Sequence, residues 1–223
     1  MADEDLEQKV ATGGSDVGDA IARTIDDVAD VAGKMYYTAK AATPVGLAGL
    51  LGGAPLAIAA GISGLGFAAG KILGNWKAKA ETLYKDVANE FTIGATIGIV
   101  LDATFKGFTQ LGAYVTSKAG QWAGIAAKAA MGISVIPPFM EFHEYTNRAL
   151  ISDYEAKPWE QRKKAMWDVT KYLGAPIAAN FALVPPAYKM ATSAAINTTY
   201  AYMQAGKKED AQQESVNPPS RKA

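Results

Sequence analysis

The chain has 223 residues, 22 basic and 22 acidic side chains, one histidine (His143) and no cysteine. Lack of cysteine excludes disulfide frameworks, thiolate nucleophiles, zinc ribbons and iron–sulfur clusters, and a lone histidine excludes multi-histidine metal sites. Zero net charge argues against an electrostatic nucleic-acid binder.

A mean hydropathy of zero averages very unlike parts. Residues 1–15 hold Asp3, Glu4, Asp5 and Glu7 with few large apolar groups, the composition of a disordered acidic arm and of neither a secretory nor an Arg-rich transit signal. Over 16–40, Val17, Ile21, Ile25, Val28, Ala32 and Met35 recur every three or four residues, with Asp26, Asp27 and Asp30 on other faces. That spacing predicts an amphipathic helix, packed on its own protein or lying in a lipid interface.

Ala41 to Gly70 is 30 residues without a charge, and about 20 such residues suffice to cross a hydrocarbon core. Its eight glycines and Pro55 would weaken a helix in water but are tolerated in membranes, so a span kinked at Pro55 is expected. Tyr36, Tyr37 and Trp76 sit where an aromatic belt would be. A buried hairpin turning near Pro55, as in soluble pore-forming toxins, is the alternative.

After a polar connector at 71–90, two further apolar segments follow: Phe91 to about Tyr114, and Ala119 to Met140. Only 115–118 separate them, which predicts an antiparallel helical hairpin. Pro137 and Pro138 are expected to end the second of these, and 141–171 reads as another polar connector. Tyr172 to Gly206 has one charge, Lys189, over 35 residues, a helix of about 52 Å at 1.5 Å per residue. This is too long for one straight span, and Pro185 and Pro186 divide it. The tail 207–223 reads as disordered.

The expected fold is therefore an all-α integral membrane bundle of about four spans over 41–206, preceded by the amphipathic helix. Lysine and arginine number ten in the connectors 71–90 and 141–171 and nine on the opposite side, so the positive-inside rule leaves orientation open.

The candidate site lies in the middle segments. One i, i+4 row contains Gly94, Gly98, Asp102, Lys106 and Gln110; the other, Gly120, Gly124, Lys128 and Gly132. Such rows share a helix face, and their glycines permit close packing. If the hairpin turns near Val115, facing residues have numbers summing to about 230, which sets Gly98 against Gly132 and Asp102 against Lys128. The apolar side chains of the second segment favour insertion by about 4 kcal/mol, while two central charges cost about 5 to 7. Asp102 then needs a partner or a wet cavity, and intramembrane charges read as a path for ions or solutes, or as a pair that fixes helix register. Glu141, His143 and Glu144 form a weaker cluster, read as a solvated helix start rather than a metal site or proton shuttle.

Residues 179–189, Ala-Asn-Phe-Ala-Leu-Val-Pro-Pro-Ala-Tyr-Lys, resemble the C-terminal signature of a eukaryotic family of small four-span proteins of peroxisomal and mitochondrial inner membranes. The similarity covers about 40 residues, with Lys189 where the family has arginine and without its Trp-Pro pair. It implies a channel-like role in solute passage or membrane homeostasis and singles out Asn180, Pro185 and Lys189.

Two functions follow as expectations. One is a channel or carrier component in which Asp102, Lys106, Lys128, Lys189 and Asn180 line a polar path. The other is an accessory subunit of a larger assembly, such as a respiratory complex or a virion membrane. Both expect lipid and copies of itself or other membrane subunits as partners, and neither calls for a cofactor or an enzyme's residues.

Overall fold

The computed structural model describes residues 2–75, 80–151 and 154–216. Every regular element among them is helical: α1 (Ala2–Gly74), α2 (Ala80–Ala119), α3 (Gln121–Ser134), α4 (Ile136–Leu150), α5 (Trp159–Ala182), a 3₁₀ turn (Pro186–Tyr188) and α6 (Lys189–Val216). Three helical stretches, Asp26–Gly74, Leu83–Ala119 and Gln121–Leu150, are long and apolar enough to cross a membrane.

The chain divides into two compact units, Met1–Ala39 and Lys40–Ala223. The first is helical from Ala2, and so takes in the acidic arm for which the composition supplies no core. Val28, Val31, Met35 and Tyr36 on it are each more than half exposed, and Asp30 pairs with Lys34 at 2.5 Å. Of the belt aromatics, Tyr36 and Tyr37 stack edge to face; Trp76 lies outside the described residues.

In the second unit the long apolar segment folds back on itself. Gly53 takes φ 68° and ψ −164°, and no other described residue of α1 leaves helical geometry. Only glycine adopts that region at little cost. Lys40 donates to Asn89 Oδ1 at 2.8 Å, and Lys71 pairs with Asp86 at 3.0 Å. Asn89 and Asp86 lie one turn apart on α2, whereas Lys40 and Lys71 on a straight helix would be about 46 Å apart. The two arms meet at Ala48 and Ala60, which are fully buried together with Ala95 of α2. The expected kinked span is thus a helical hairpin, and the break falls at Gly53, with Pro55 inside the helix that follows.

The second pair also turns later than expected. α2 runs on to Ala119, and Gly120, at φ 86°, makes the corner into α3. Pro137 and Pro138 start α4 instead of ending a helix, because proline is tolerated in a first turn where no amide partner is needed. The Tyr172–Gly206 stretch breaks at Pro185 and Pro186, as anticipated, into the hairpin α5–α6. Six arms therefore run back and forth between two ends of the unit. One is the connector end, marked by Lys71, Asp86 and Leu150; the other is the turn end, marked by Gly53, Lys106 and Pro186. The main core joins Phe67, Ile93, Ile97, Leu101, Phe105, Ile136, Leu173 and Phe181.

Candidate functional site

α6 sets an i, i+4 row of Lys189, Ser193 and Asn197 into the middle of the bundle, each no more than 7 % exposed. Every member bonds to a neighbouring element or the adjoining turn. Lys189 Nζ donates to the carbonyl of Phe181 at 2.8 Å and lies 5.5 Å and 5.8 Å from the ring centroids of Phe105 and Phe181. Asn180 of α5 donates to Ser193 Oγ at 2.8 Å and to the carbonyl of Lys189 at 3.3 Å. Asn197 donates to Ser63 Oγ of α1 at 3.3 Å, and Thr198 Oγ1 to the carbonyl of Gly66 at 2.9 Å. Together these form a polar seam through an otherwise apolar interior. The side-chain oxygen of Asn180 is buried without a hydrogen-bond partner.

A cavity of about 60 Å³ adjoins the seam, lined by Leu101, Ile136, His143, Asn180, Ser193, Asn197 and Tyr200, among others. α6 approaches α1 closely at two points. A Cβ on Gly66 would lie 2.6 Å from the carbonyl oxygen of Ala194, and one on Gly70 would lie 2.4 Å from that of Thr198. Glycine at those two positions is what lets α6 reach Ser63 and Gly66.

The charges singled out in the sequence gather only in part. Asp102 and Lys106 pair with one another at 2.6 Å, Asp102 largely buried and Lys106 exposed. They share a groove at the turn end with Thr109, Gln110, Pro186 and Lys189. Asn180 lies behind it, one side of the seam. Lys128 is elsewhere: its methylene stem covers Gly112, where a Cβ would sit 2.3 Å from Cε. The pairing sum in this hairpin is 240, as the contacts of Gly112 with Lys128 and of Gly124 with Thr116 give it. The expected sum of 230 is corrected by the later turn, and with it the facing of Asp102 by Lys128.

The glycines also find other partners than expected. Gly94 meets Phe67 and Ser63, and Gly98 meets Ser63, Ala59 and Ala60, all on α1; Gly132 meets Phe181 of α5. Gly66, Gly70, Ser63, Ser193 and Asn197 did not figure among the expected site residues. Their signal was present, since a lysine, serine and asparagine four apart in an apolar helix is as conspicuous as the aspartate and lysine of α2.

At the connector end the Glu141–His143–Glu144 cluster disperses into three structural roles. Glu144, 5 % exposed, accepts from Tyr154 Oη at 2.6 Å, from the Lys157 amide at 3.0 Å and from Arg148 Nε at 3.4 Å, which pins the loop 151–158. Burial, followed by the hydrogen bond to Glu144, raises the Tyr154 phenol above its ordinary range. Glu141 pairs with Arg162, and His143 stacks on Phe67 and meets Tyr200 edge to face. Lys40 also donates to the carbonyl of Leu150.

Comparison with protein-family models, with curated proteins and with solved structures gives no match for this chain. The reading of the site rests on its geometry.

Proposed function

We propose that this protein is an integral membrane protein whose α6 seam is a polar route for small solutes or ions, as in a channel or carrier component. The observation behind this is an inversion of polarity. Leu47, Leu50, Leu51, Ile58 and Leu65 are each more than half exposed, while Lys189, Asn180, Ser193 and Asn197 are each 7 % exposed or less. In water that arrangement would be costly on both counts, since apolar surface would be hydrated and polar groups desolvated. In a bilayer the same arrangement is favourable outside, and intramembrane ionisable groups in a bundle interior are read as functional by default.

Lys189 is the pivot of this reading. It stands where the seam meets the groove of Asp102 and Lys106 and bonds to a neutral carbonyl and two ring faces, an electrostatic partner for a passing anion or an obstacle to a cation. Reconstituted vesicles test it. Flux above that of empty vesicles, altered in size or ion preference by Lys189→Met, is expected; flux indistinguishable from empty vesicles rejects the route.

A second reading, an accessory subunit of a larger membrane assembly, is favoured by one specific feature. Nearly all seam groups are bonded to each other and the cavity beside them is small, which suits a device that fixes helix register. Migration as a large complex after mild extraction, with Lys189→Met dissociating it, would favour this reading over transport. A mitochondrial inner or peroxisomal membrane is the proposed location if the host is eukaryotic.

A further inference from the structure

Resting on the membrane reading above, we infer that residues 41–70 enter and leave the bilayer through the same face, and that this face is the cytoplasmic one. Both ends of the segment are tied to one end of α2: Lys40 to Asn89 and Leu150, Lys71 to Asp86. The arm from Lys40 to Gly52 is about 20 Å long at 1.5 Å per residue, short of the ~30 Å hydrocarbon core. Its apex offers Leu50, Leu51 and Ile58, all exposed, and no charge between 41 and 70. An uncharged apolar apex of that kind does not project into water beyond the turn end.

Sidedness follows from the other two hairpins. α2 leaves the connector end at Asp86 and reaches the turn end at Lys106, and α3 with α4 returns to Leu150 beside Lys40. α5 goes from Arg162, paired with Glu141, to Phe181 beside Phe105; α6 returns from Lys189 to Thr198 beside Gly66 and Gly70. The described parts of the connectors therefore fall on one side, along with Lys40 and the continuation of α6.

This topology changes the charge comparison. A single span at 41–70 set ten lysines and arginines against nine. With the segment folded back, Lys40, Lys71, Lys85, Arg148, Lys157 and the run 162–164 share the connector end. Towards the turn end stand Lys106, Lys118 and Lys128, with Lys189 buried in the seam and Lys171 midway along α5. Orientation follows the lysine and arginine count of short loops, not net charge, so the connector end faces the cytoplasm.

The chain has no cysteine, so single-cysteine variants report sidedness without background. Thr38→Cys, Lys85→Cys, Glu155→Cys and Lys118→Cys place thiols at exposed positions, three flanking the connector end and one by the α2–α3 corner. Bacterial spheroplasts producing each variant in their plasma membrane are treated with a membrane-impermeant maleimide, before and after permeabilisation. The expected result is labelling of Lys118→Cys in intact spheroplasts and of the other three only after permeabilisation. Labelling of Thr38→Cys and Lys85→Cys from opposite faces overturns the folded-back segment. Reversal of the whole pattern overturns the orientation. Failure of the membrane reading itself has a separate signature: alkaline carbonate would release the protein, and all four thiols would show one accessibility.

Discussion

The tripeptide Gly-Ala-Pro occurs at 53–55 and again at 174–176, and the two copies behave in opposite ways. At 53 the glycine leaves the helical region and the chain reverses; at 174 the glycine is buried inside α5, which runs on through Pro176 to Ala182. Pro176, inside α5, removes one backbone hydrogen bond and crowds the preceding turn, whereas Pro55 falls in the first turn after the break, where no amide partner is needed. The surroundings differ as well. Gly53 is preceded by Gly52 and flanked by small residues, so few side-chain contacts oppose a break, and the reversed arm gains Ala48 against Ala60 and Ala95. Leu173, beside Gly174, lies in the main core with Phe181 two turns further on, and a break there would pull both out. A local weakness becomes a turn only where packing rewards it.

The largest effect should come from closing the option at the first copy. Gly53→Val forces a β-branched residue into a region that glycine alone occupies readily, at about 1–3 kcal/mol. Beyond that loss, the hairpin should open. Thermal unfolding in detergent would register a lower midpoint, and thiols at positions 38 and 85 would then report opposite faces or a heterogeneous mixture. An unchanged midpoint and unchanged sidedness would mean that Gly53 does not set the reversal.

Next in size is Gly66→Ala, which tests whether α1 and α6 are held by backbone approach. The added methyl would fall 2.6 Å from a carbonyl oxygen, and a backbone atom cannot rotate away, so about 1–3 kcal/mol is expected. Gly61→Ala, with nothing within 4 Å, is the matched control and should be neutral or slightly stabilising. Equal midpoints for the two variants would remove close approach as the reason for glycine at 66.

Asn180→Leu follows. It deletes the donors to Ser193 and to the Lys189 carbonyl and so costs about 1–2 kcal/mol, offset in part because the unpartnered oxygen goes too. Unfolding midpoints compared with Asn180→Asp, which keeps the size but not the amide donors, would separate lost bonding from changed volume; a rise in stability for leucine would mean the seam is held at a cost for function.

How much of this was readable beforehand depended on the range of the physics. The all-helical architecture and the apolar stretches follow from charge spacing, a local property, and so did the break at Pro185 and Pro186. A hairpin turning near Pro55 was one of two readings, but its choice over a kinked span and its corner at Gly53 were not legible, because only contacts such as those of Ala48 with Ala60 decide them. The α2–α3 register was missed for a related reason. Val115 to Lys118 looks like a polar loop, yet Thr116 and Ser117 return their hydroxyls to the carbonyls of Gly112 and Tyr114 and remain helical. Five more residues of helix moved Lys128 from Asp102 to Gly112. Asn180 and Lys189 were singled out, but their partners on α6 and α1 are set by tertiary contacts that a single-helix row does not specify.

The smallest effect returns to the second copy of the tripeptide. Gly174 is helical, and a Cβ there would have Thr170 Cγ2 at 3.8 Å as its only neighbour, an ordinary contact. Gly174→Ala should therefore gain up to about 1 kcal/mol, through the reduced freedom of the unfolded chain and the better helix propensity of alanine. The measured quantity is again the unfolding midpoint, raised by about 2–4 °C per kcal/mol for a chain of this size. Stabilisation at 174 beside destabilisation at 53 would establish that the shared tripeptide encodes no turn of its own. A loss of stability at 174 would instead mean that α5 uses its glycine to flex, and the two copies would be more alike than their backbones suggest.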